Sequence, residues 1–251
     1  MNGPQGIGPN YQEATKYARG RPVPQEPAWA APPPPHKTYA DYLQRVQLPP
    51  PATDAGPGLW DLAARRRSRR SFADRPLAMQ DLSQLLWAIQ GITAEQEGLQ
   101  FRAAASAGAL YPNETYVIAH RVEEMMEGTY HYLIREHALG MLAEGDFSRE
   151  IAEACIGQGW VAQAAAVFVW GAVVARAAWK YQNRAYRYLY LDAGHLGAQL
   201  QLACEALGLA SCNVGAFFDD EVAQLIGLDS HFEVVVYLTA VGHPLASQSA
   251  P

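Results

Sequence analysis

The chain has 251 residues, 49% apolar and 18% charged, a composition that can bury a sizeable core and excludes disorder throughout. Its 25 acidic against 19 basic residues give a net charge of −6, so there is no global attraction to nucleic acid or to an anionic membrane. Three cysteines without a CxxC pair indicate neither a disulfide framework nor a cysteine zinc site, no other metal-ligand cluster stands out, and a reducing cytoplasm suits them.

Thirteen of the 17 prolines fall within the first 58 residues, so an arm without regular structure is expected there. From Leu59 apolar residues recur at helical spacing, and Leu82, Leu85, Leu86 and Ile89 predict a second helix closed by Gly91. Three strand-like runs follow: Tyr116 to Ala119, Gly128 to Leu133 and Ala138 to Leu142. A helix is expected over Phe147 to Cys155. The uncharged stretch from Ala154 to Ala175 is near the roughly 20 residues of a membrane span, but its glycines and its β-branched second half predict a helix end, a turn and a buried strand over Val167 to Val174. The strongest helical signal runs from Tyr186 to Leu207 and ends at Gly208, with apolar residues on more than one face. A short helix over Asp219 to Ile226 and a strand over Val234 to Leu238 complete an α+β chain.

Four segments carry candidate chemistry. Arg65 to Arg70 puts five bases into six positions; Arg66 and Arg70, read as one helical face, together with the Ser68 hydroxyl could grip a phosphate. Ser106-Ala107-Gly108-Ala109-Leu110-Tyr111-Pro112 has the small residues that let backbone approach a flat ligand. Lys180-Tyr181 stands just before the long helix, where a lysine desolvated beside Trp179 could take a proton. Gly215-Ala216 sits at the mouth of a strand-like run. His195 reads as a satisfied core histidine. No dinucleotide glycine fingerprint and no P-loop occurs.

Together these segments resemble one family. Arg66-Arg67-Ser68-Arg69-Arg70-Ser71-Phe72 resembles the flavin-phosphate motif of nitroreductase-fold FMN enzymes. Ser106 to Pro112 resembles the SAGALYP loop of their SagB-type branch, the dehydrogenases of thiazole and oxazole formation, and Lys180-Tyr181 resembles the pair of those azoline oxidases. Tyr186 to His195 is similar to the start of their central helix. The resemblance spans about Leu59 to Gly242, which divides the chain into an arm (1–58), an FMN domain (59–244) and a short tail (245–251).

The resemblance implies a nitroreductase-like α+β fold, a mixed or antiparallel sheet flanked by helices, with the long helix at the interface of a homodimer. FMN is expected at that interface, with Arg66, Arg67, Ser68 and Arg70 on its phosphate and ribityl chain. Ser106, Ala107, Gly108, Ala109, Leu110 and Tyr111 are expected along the isoalloxazine, and the backbone of Gly215 and Ala216 at flavin N5. Lys180 and Tyr181 are the expected catalytic pair. Ala105 replaces the usual proline and should loosen the loop, and with no terminal basic residue only His243 could assist the arginines. The implied activity is hydride removal from carbon next to nitrogen, on a peptide or related small molecule and in company with a biosynthetic partner enzyme. An NAD(P)H-dependent nitro or quinone reductase and a non-catalytic flavin-binding scaffold are the alternatives. A cytoplasmic protein binding neither nucleic acid nor membrane is expected.

Overall fold

A computed structural model describes residues 6–19, 26–54, 56–229 and 232–245. The expected C-terminal tail falls, except for Leu245, outside these residues, as do parts of the arm. In chain order the elements are α1 (Ile7–Ala14), β1 (Gln44–Gln47), α2 (Leu59–Arg65), α3 (Met79–Gln90), β2 (Ile92–Gln96), β3 (Leu99–Arg102), β4 (Asn113–Ala119), β5 (Gly128–Leu133), β6 (Ala138–Glu144), α4 (Ser148–Ala154), β7 (Ala166–Val173), α5 (Val174–Tyr181), α6 (Ala185–Ala206), β8 (Ala210–Val214), α7 (Asp219–Leu225) and β9 (Glu233–Gly242).

Seven strands form one sheet in the order β1-β6-β5-β4-β7-β9-β8, and every pairing in it is antiparallel. Period-two alternation divides its residues between two cores. Val117, Phe168 and Trp170 face Leu82, Leu86 and Ile89 of α3 and Leu189, Leu196 and Leu200 of α6. Their neighbours Ile118, Val167 and Val169 face Ile151 of α4 and Val222 of α7. Truncating Leu86 or Leu200 to alanine would cost about 2–5 kcal/mol, because both are fully buried. The uncharged stretch becomes the end of α4, a turn and β7, and among the described residues no helix is long and apolar enough to cross a membrane.

The 22 residues of α6 make a rod about 33 Å long. Gly208 ends it at φ +70°, a conformation glycine adopts without a Cβ penalty, and Leu209 N–H then bonds back to Cys204 O at 2.8 Å.

The arm departs from expectation. It carries α1 and the edge strand β1, which pairs Val46 with Leu139 of β6. An edge strand needs one partner only, so β1 fits between its proline-rich flanks. The last carbonyls of α1 accept hydrogen bonds from Arg187 Nη2 (Gln12 O, 2.6 Å) and Arg184 Nη1 (Thr15 O, 2.6 Å), which satisfies a helix too short to persist alone.

Candidate functional site

The loop between β3 and β4 is held by one carboxylate. Ser106 Oγ donates to Asp192 Oδ2 at 2.6 Å, Ala107 N–H donates to both Asp192 oxygens at 3.2 Å, and Tyr111 N–H donates to Ser106 Oγ at 2.9 Å. Gly108, Ala109 and Tyr111 all have positive φ, at 64°, 53° and 45°, so the loop is a knot whose strain these bonds offset. His195 is exposed rather than a core residue, and its Nδ1 donates to Ala105 O at 3.1 Å. The loosening expected from Ala105 is therefore opposed from both ends of one turn of α6. Burial raises the Asp192 pKa, while bonds from Ser106 and Ala107 pull it back. Sequence periodicity alone does not reveal the role of Asp192; its one signal is a carboxylate at a buried position of an apolar repeat.

Tyr111 points inward. Its hydroxyl accepts from Arg102 N–H at 3.0 Å, its ring lies 4.5 Å from the Arg102 guanidinium, and its carbonyl accepts from Arg176 Nη1 at 3.1 Å. It anchors the loop, and Ser106, Ala107, Gly108, Ala109 and Leu110 form the part that ligand could approach.

Lys180 and Tyr181 end α5 directly over this loop. A Cβ added to Gly108 would lie 2.5 Å from Tyr181 Oη and 3.0 Å from Lys180 Nζ, so both polar tips converge on the one residue that leaves them room. Burial, then the neighbouring Tyr188, Tyr17 and Asp192, raise the Tyr181 pKa and keep the phenol protonated. Lys180 is exposed, contrary to the expected desolvation beside Trp179, because it stands at the last turn of a short helix on the rim of the chain. Gln182 follows at φ 49° and ψ −133°, a conformation rare for a residue with a Cβ, and turns the chain sharply into α6.

The arginine cluster is not helical. α2 stops at Arg65, Arg66 has φ −50° and ψ 124°, and Ser68 bridges Ser211 in parallel beside β8. Extended backbone replaces the expected helical face, and period two sets Arg66, Ser68 and Arg70 apart from Arg67 and Arg69. Arg69 Nη1 bonds Glu205 Oε2 at 2.9 Å, Arg65 Nε lies 3.8 Å from Glu205 Oε1, and Arg67 Nη1 is spent on the carbonyls of Ala64 and Arg66. Arg66 and Arg70 have no carboxylate partner among the described residues; Arg70 lies 5.8 Å over the Trp160 ring. His243 is elsewhere engaged, its Nε2 bonded to Pro76 O at 3.1 Å.

Gly215 and Ala216 are exposed just past β8, and neither amide donates to an acceptor among the described residues. A Cβ on Gly215 would stand 3.7 Å from Tyr237, the ring that also closes on Gly197 of α6. Helix α6 thus touches each segment in turn: Asp192 the loop, Gly197 the Gly215 side, Gln201 the Ser68 hydroxyl at 3.5 Å and Glu205 the Arg69 guanidinium. At about 100° per residue, Gln201 is half a turn from Asp192. Within one chain the loop with Lys180-Tyr181 lies on one flank of α6, and the cluster with Gly215-Ala216 on the other. Between them runs an exposed stripe that includes Leu191, 58% accessible, Gly194 and Ala198.

The donor set fits FMN. Arg66, Ser68 and Arg70, at alternate positions of one extended segment, offer donors for a phosphate, and the amides of Gly215 and Ala216, without acceptors among the described residues, offer a donor pair for a ring nitrogen.

An antiparallel sheet packed on a long central helix, with an arginine cluster and a small-residue loop on either flank of that helix, suits an oxidoreductase that holds an anionic cofactor. The chain belongs to the nitroreductase family, whose model matches residues 63–243. Members of that family are flavoproteins, usually with FMN. A protein of Methanocaldococcus jannaschii that bears a nitroreductase name is 32% identical over 173 residues, covering 69% of this chain and 86% of that one. A structure from Anabaena variabilis, likewise named for a nitroreductase, superposes with a TM-score of 0.77 at 28% identity over 98% of this chain; the chain spans 48% of the Anabaena protein's length. A chain of the E. coli microcin synthetase complex, solved with truncated pro-MccB17 bound, shares the fold with a TM-score of 0.61 at 19% identity, over 94% of this chain and 87% of its own.

Proposed function

We propose that this protein is an FMN-dependent dehydrogenase of the SagB type, which removes a hydride and a proton from an azoline ring, as in conversion to thiazole or oxazole, on a peptide or related small molecule. The observation that carries this reading is the convergence of Tyr181 Oη and Lys180 Nζ on Gly108. A flavin that merely accepts hydride from a nicotinamide needs no protein base, whereas a reaction that also releases a proton does. The likeness in fold to the microcin synthetase chain is compatible with it.

Two copies packed through α6 would complete each site. Arg66, Arg70 and Ser68 of one copy would bind the phosphate, with Arg67 nearby, and Gly215 and Ala216 would offer their amides to the ring. Ser106 to Leu110 of the other copy, held by Asp192 and anchored by Tyr111, would back the ring. Bound FMN supplies a two-electron acceptor for the hydride. The Tyr181 phenol stays protonated and orients the substrate by donating a hydrogen bond, and Lys180 Nζ takes the proton as the neutral amine, which requires that bound ring and substrate cover a side chain that is exposed in the chain alone.

Lys180→Ala and Tyr181→Phe are expected to keep FMN and to be reduced by dithionite, but to lose roughly a hundredfold to ten-thousandfold in the rate at which an azoline-containing peptide bleaches the flavin. Unchanged rates in both variants would move the chain to the reductase alternative, which the exposure of Lys180 favours, and bleaching by NADPH would then follow.

A further inference from the structure

The arm between Ala28 and Lys37 meets both sides of the loop. Ala28 N–H donates to Trp179 O at 2.8 Å, and Trp179 Nε1 donates back to Trp29 O at 2.9 Å, one residue before Lys180. Farther along, Pro34 O accepts from Arg176 Nε at 2.7 Å and Pro35 O accepts from Arg102 Nη2 at 3.3 Å. These are the two guanidiniums that fix Tyr111 through its carbonyl and its ring. Lys37 N–H donates to Glu114 Oε1 at 3.1 Å, and the same carboxylate binds Arg176 Nη1 at 2.6 Å. Thr15 meets Arg184 and Arg187, Trp29 meets Trp179, and Pro34 meets Arg176, so the arm runs back along the start of α6 and then α5 in reverse order.

Backbone carbonyls are the groups by which Trp29, Pro34 and Pro35 make these contacts. Proline is well suited there, because it fixes φ and brings no amide that would itself need a partner under the two arginines. Glu114 and Arg176, 2% and 3% exposed, form a buried pair; Arg176 gives its remaining bonds to the arm and the loop, and Glu114 accepts from the arm and from His131 of β5. A change in the arm is thereby passed to Tyr111 through charge-assisted bonds rather than through soft side-chain packing.

We infer that residues 28–37 are a positioning strap for the proposed site: they hold Trp179 beside Lys180 on one side and, through Arg176 and Arg102, the Tyr111 end of the loop on the other. This rests on the proposed reading of Lys180-Tyr181 and the loop. Trp179, Arg176 and Arg102 act as positioning residues, since none of them touches the surface offered to a ligand.

Trp179→Phe removes the bond to Trp29 O and keeps a ring; Arg176→Lys keeps a charge for Glu114 but cannot reach Pro34 O and Tyr111 O together. Hydrogen exchange of the full-length FMN-loaded protein, read by mass spectrometry over 105–112 and 176–182, is expected to quicken at least tenfold in both variants. The limiting rate of flavin reduction by an azoline-containing peptide is expected to fall roughly tenfold to a hundredfold with the half-saturating concentration unchanged, the mark of misplacement rather than lost binding. Should Arg176→Lys fail to fold, Trp179→Phe decides alone. Faster exchange confined to 26–37, with the loop still protected, overturns the strap. If the wild type does not turn over the peptide, the dehydrogenase reading fails while exchange at 105–112 still decides the strap.

Discussion

Asp192 and Glu205 share α6, yet Asp192 holds Ser106 on one flank while Glu205 holds Arg69 on the other, 13 residues along and about 140° round. The exposed Leu191 lies between these two flanks of α6. In the proposed dimer the loop of one copy and the arginine cluster of the other would serve one ligand.

The division of labour among the arginines sets the first expectation. Arg66→Ala and Arg70→Ala each delete an uncommitted guanidinium, so FMN should bind more weakly by about 1.5–3 kcal/mol, roughly tenfold to a hundredfold in Kd. Arg69→Ala should instead leave Glu205 without its close partner, lowering the Tm with FMN affinity nearly intact. Fluorescence titration with FMN beside thermal melts separates the two; equal loss of affinity in all three variants would refute the assignment.

Gly108→Ala probes the convergence directly. The new Cβ would meet Tyr181 Oη and Lys180 Nζ, and the residue would sit at φ +64°. The backbone cost is roughly 1–2 kcal/mol. Stability should fall by about that amount, and substrate-driven flavin reduction should slow by roughly a hundredfold as the pair is pushed aside. A variant that melts lower but reduces flavin at the wild-type rate would show that the pair does not work over Gly108.

Acid stability should report on the buried cluster. Burial pushes the Glu114 carboxyl up, but the His131 hydrogen bond and the charges of Arg176, His131 and Arg102 outweigh it and hold its pKa down at about 2. An unfolded glutamate titrates near 4.3, so the folded state binds this proton less readily. The contribution of Glu114, on the order of 3 kcal/mol, is fully present above that value and is lost as pH falls toward about 2. Urea midpoints measured from pH 5 down to pH 2 should drop steeply in the wild type. Glu114→Gln should start lower, with Arg176 left unpaired, and show a flatter acid limb; parallel limbs would contradict this role.

Much of the scaffold was legible because burial imposes a period. The three- and four-residue spacing of Leu82 to Ile89 and Leu189 to Leu200 marks α3 and α6, and the apolar run at Val167 marks β7. What escaped is stabilised from a distance. α5 is eight residues with a buried Arg176, α1 borrows its caps from Arg184 and Arg187, and hairpin β2–β3 turns at Glu97-Gly98 with little apolar alternation. The arginine run and the small-residue loop stood out as compositional outliers. Which arginines remain free depended on Glu205, 136 residues from Arg69, and the grip on the loop depended on Asp192, 86 residues from Ser106. Local sequence carries neither pairing, and Arg66 to Arg70 read as helix because their union with β8 is likewise long-range.

The most direct measurement of the proposed shared site is complementation. A chain carrying Arg66→Ala and Arg70→Ala, with its phosphate half disabled, is co-expressed with a chain carrying Lys180→Ala, and the mixed dimer is isolated through two different tags. If each site joins the cluster of one copy to the loop and Lys180 of the other, one of the two sites is intact, and an azoline-containing peptide should bleach its FMN at close to the wild-type rate although neither parent variant responds. If cluster and loop of the same chain serve one flavin, no intact site exists in the mixed dimer, and failure to restore reduction, with FMN bound, would contradict the account.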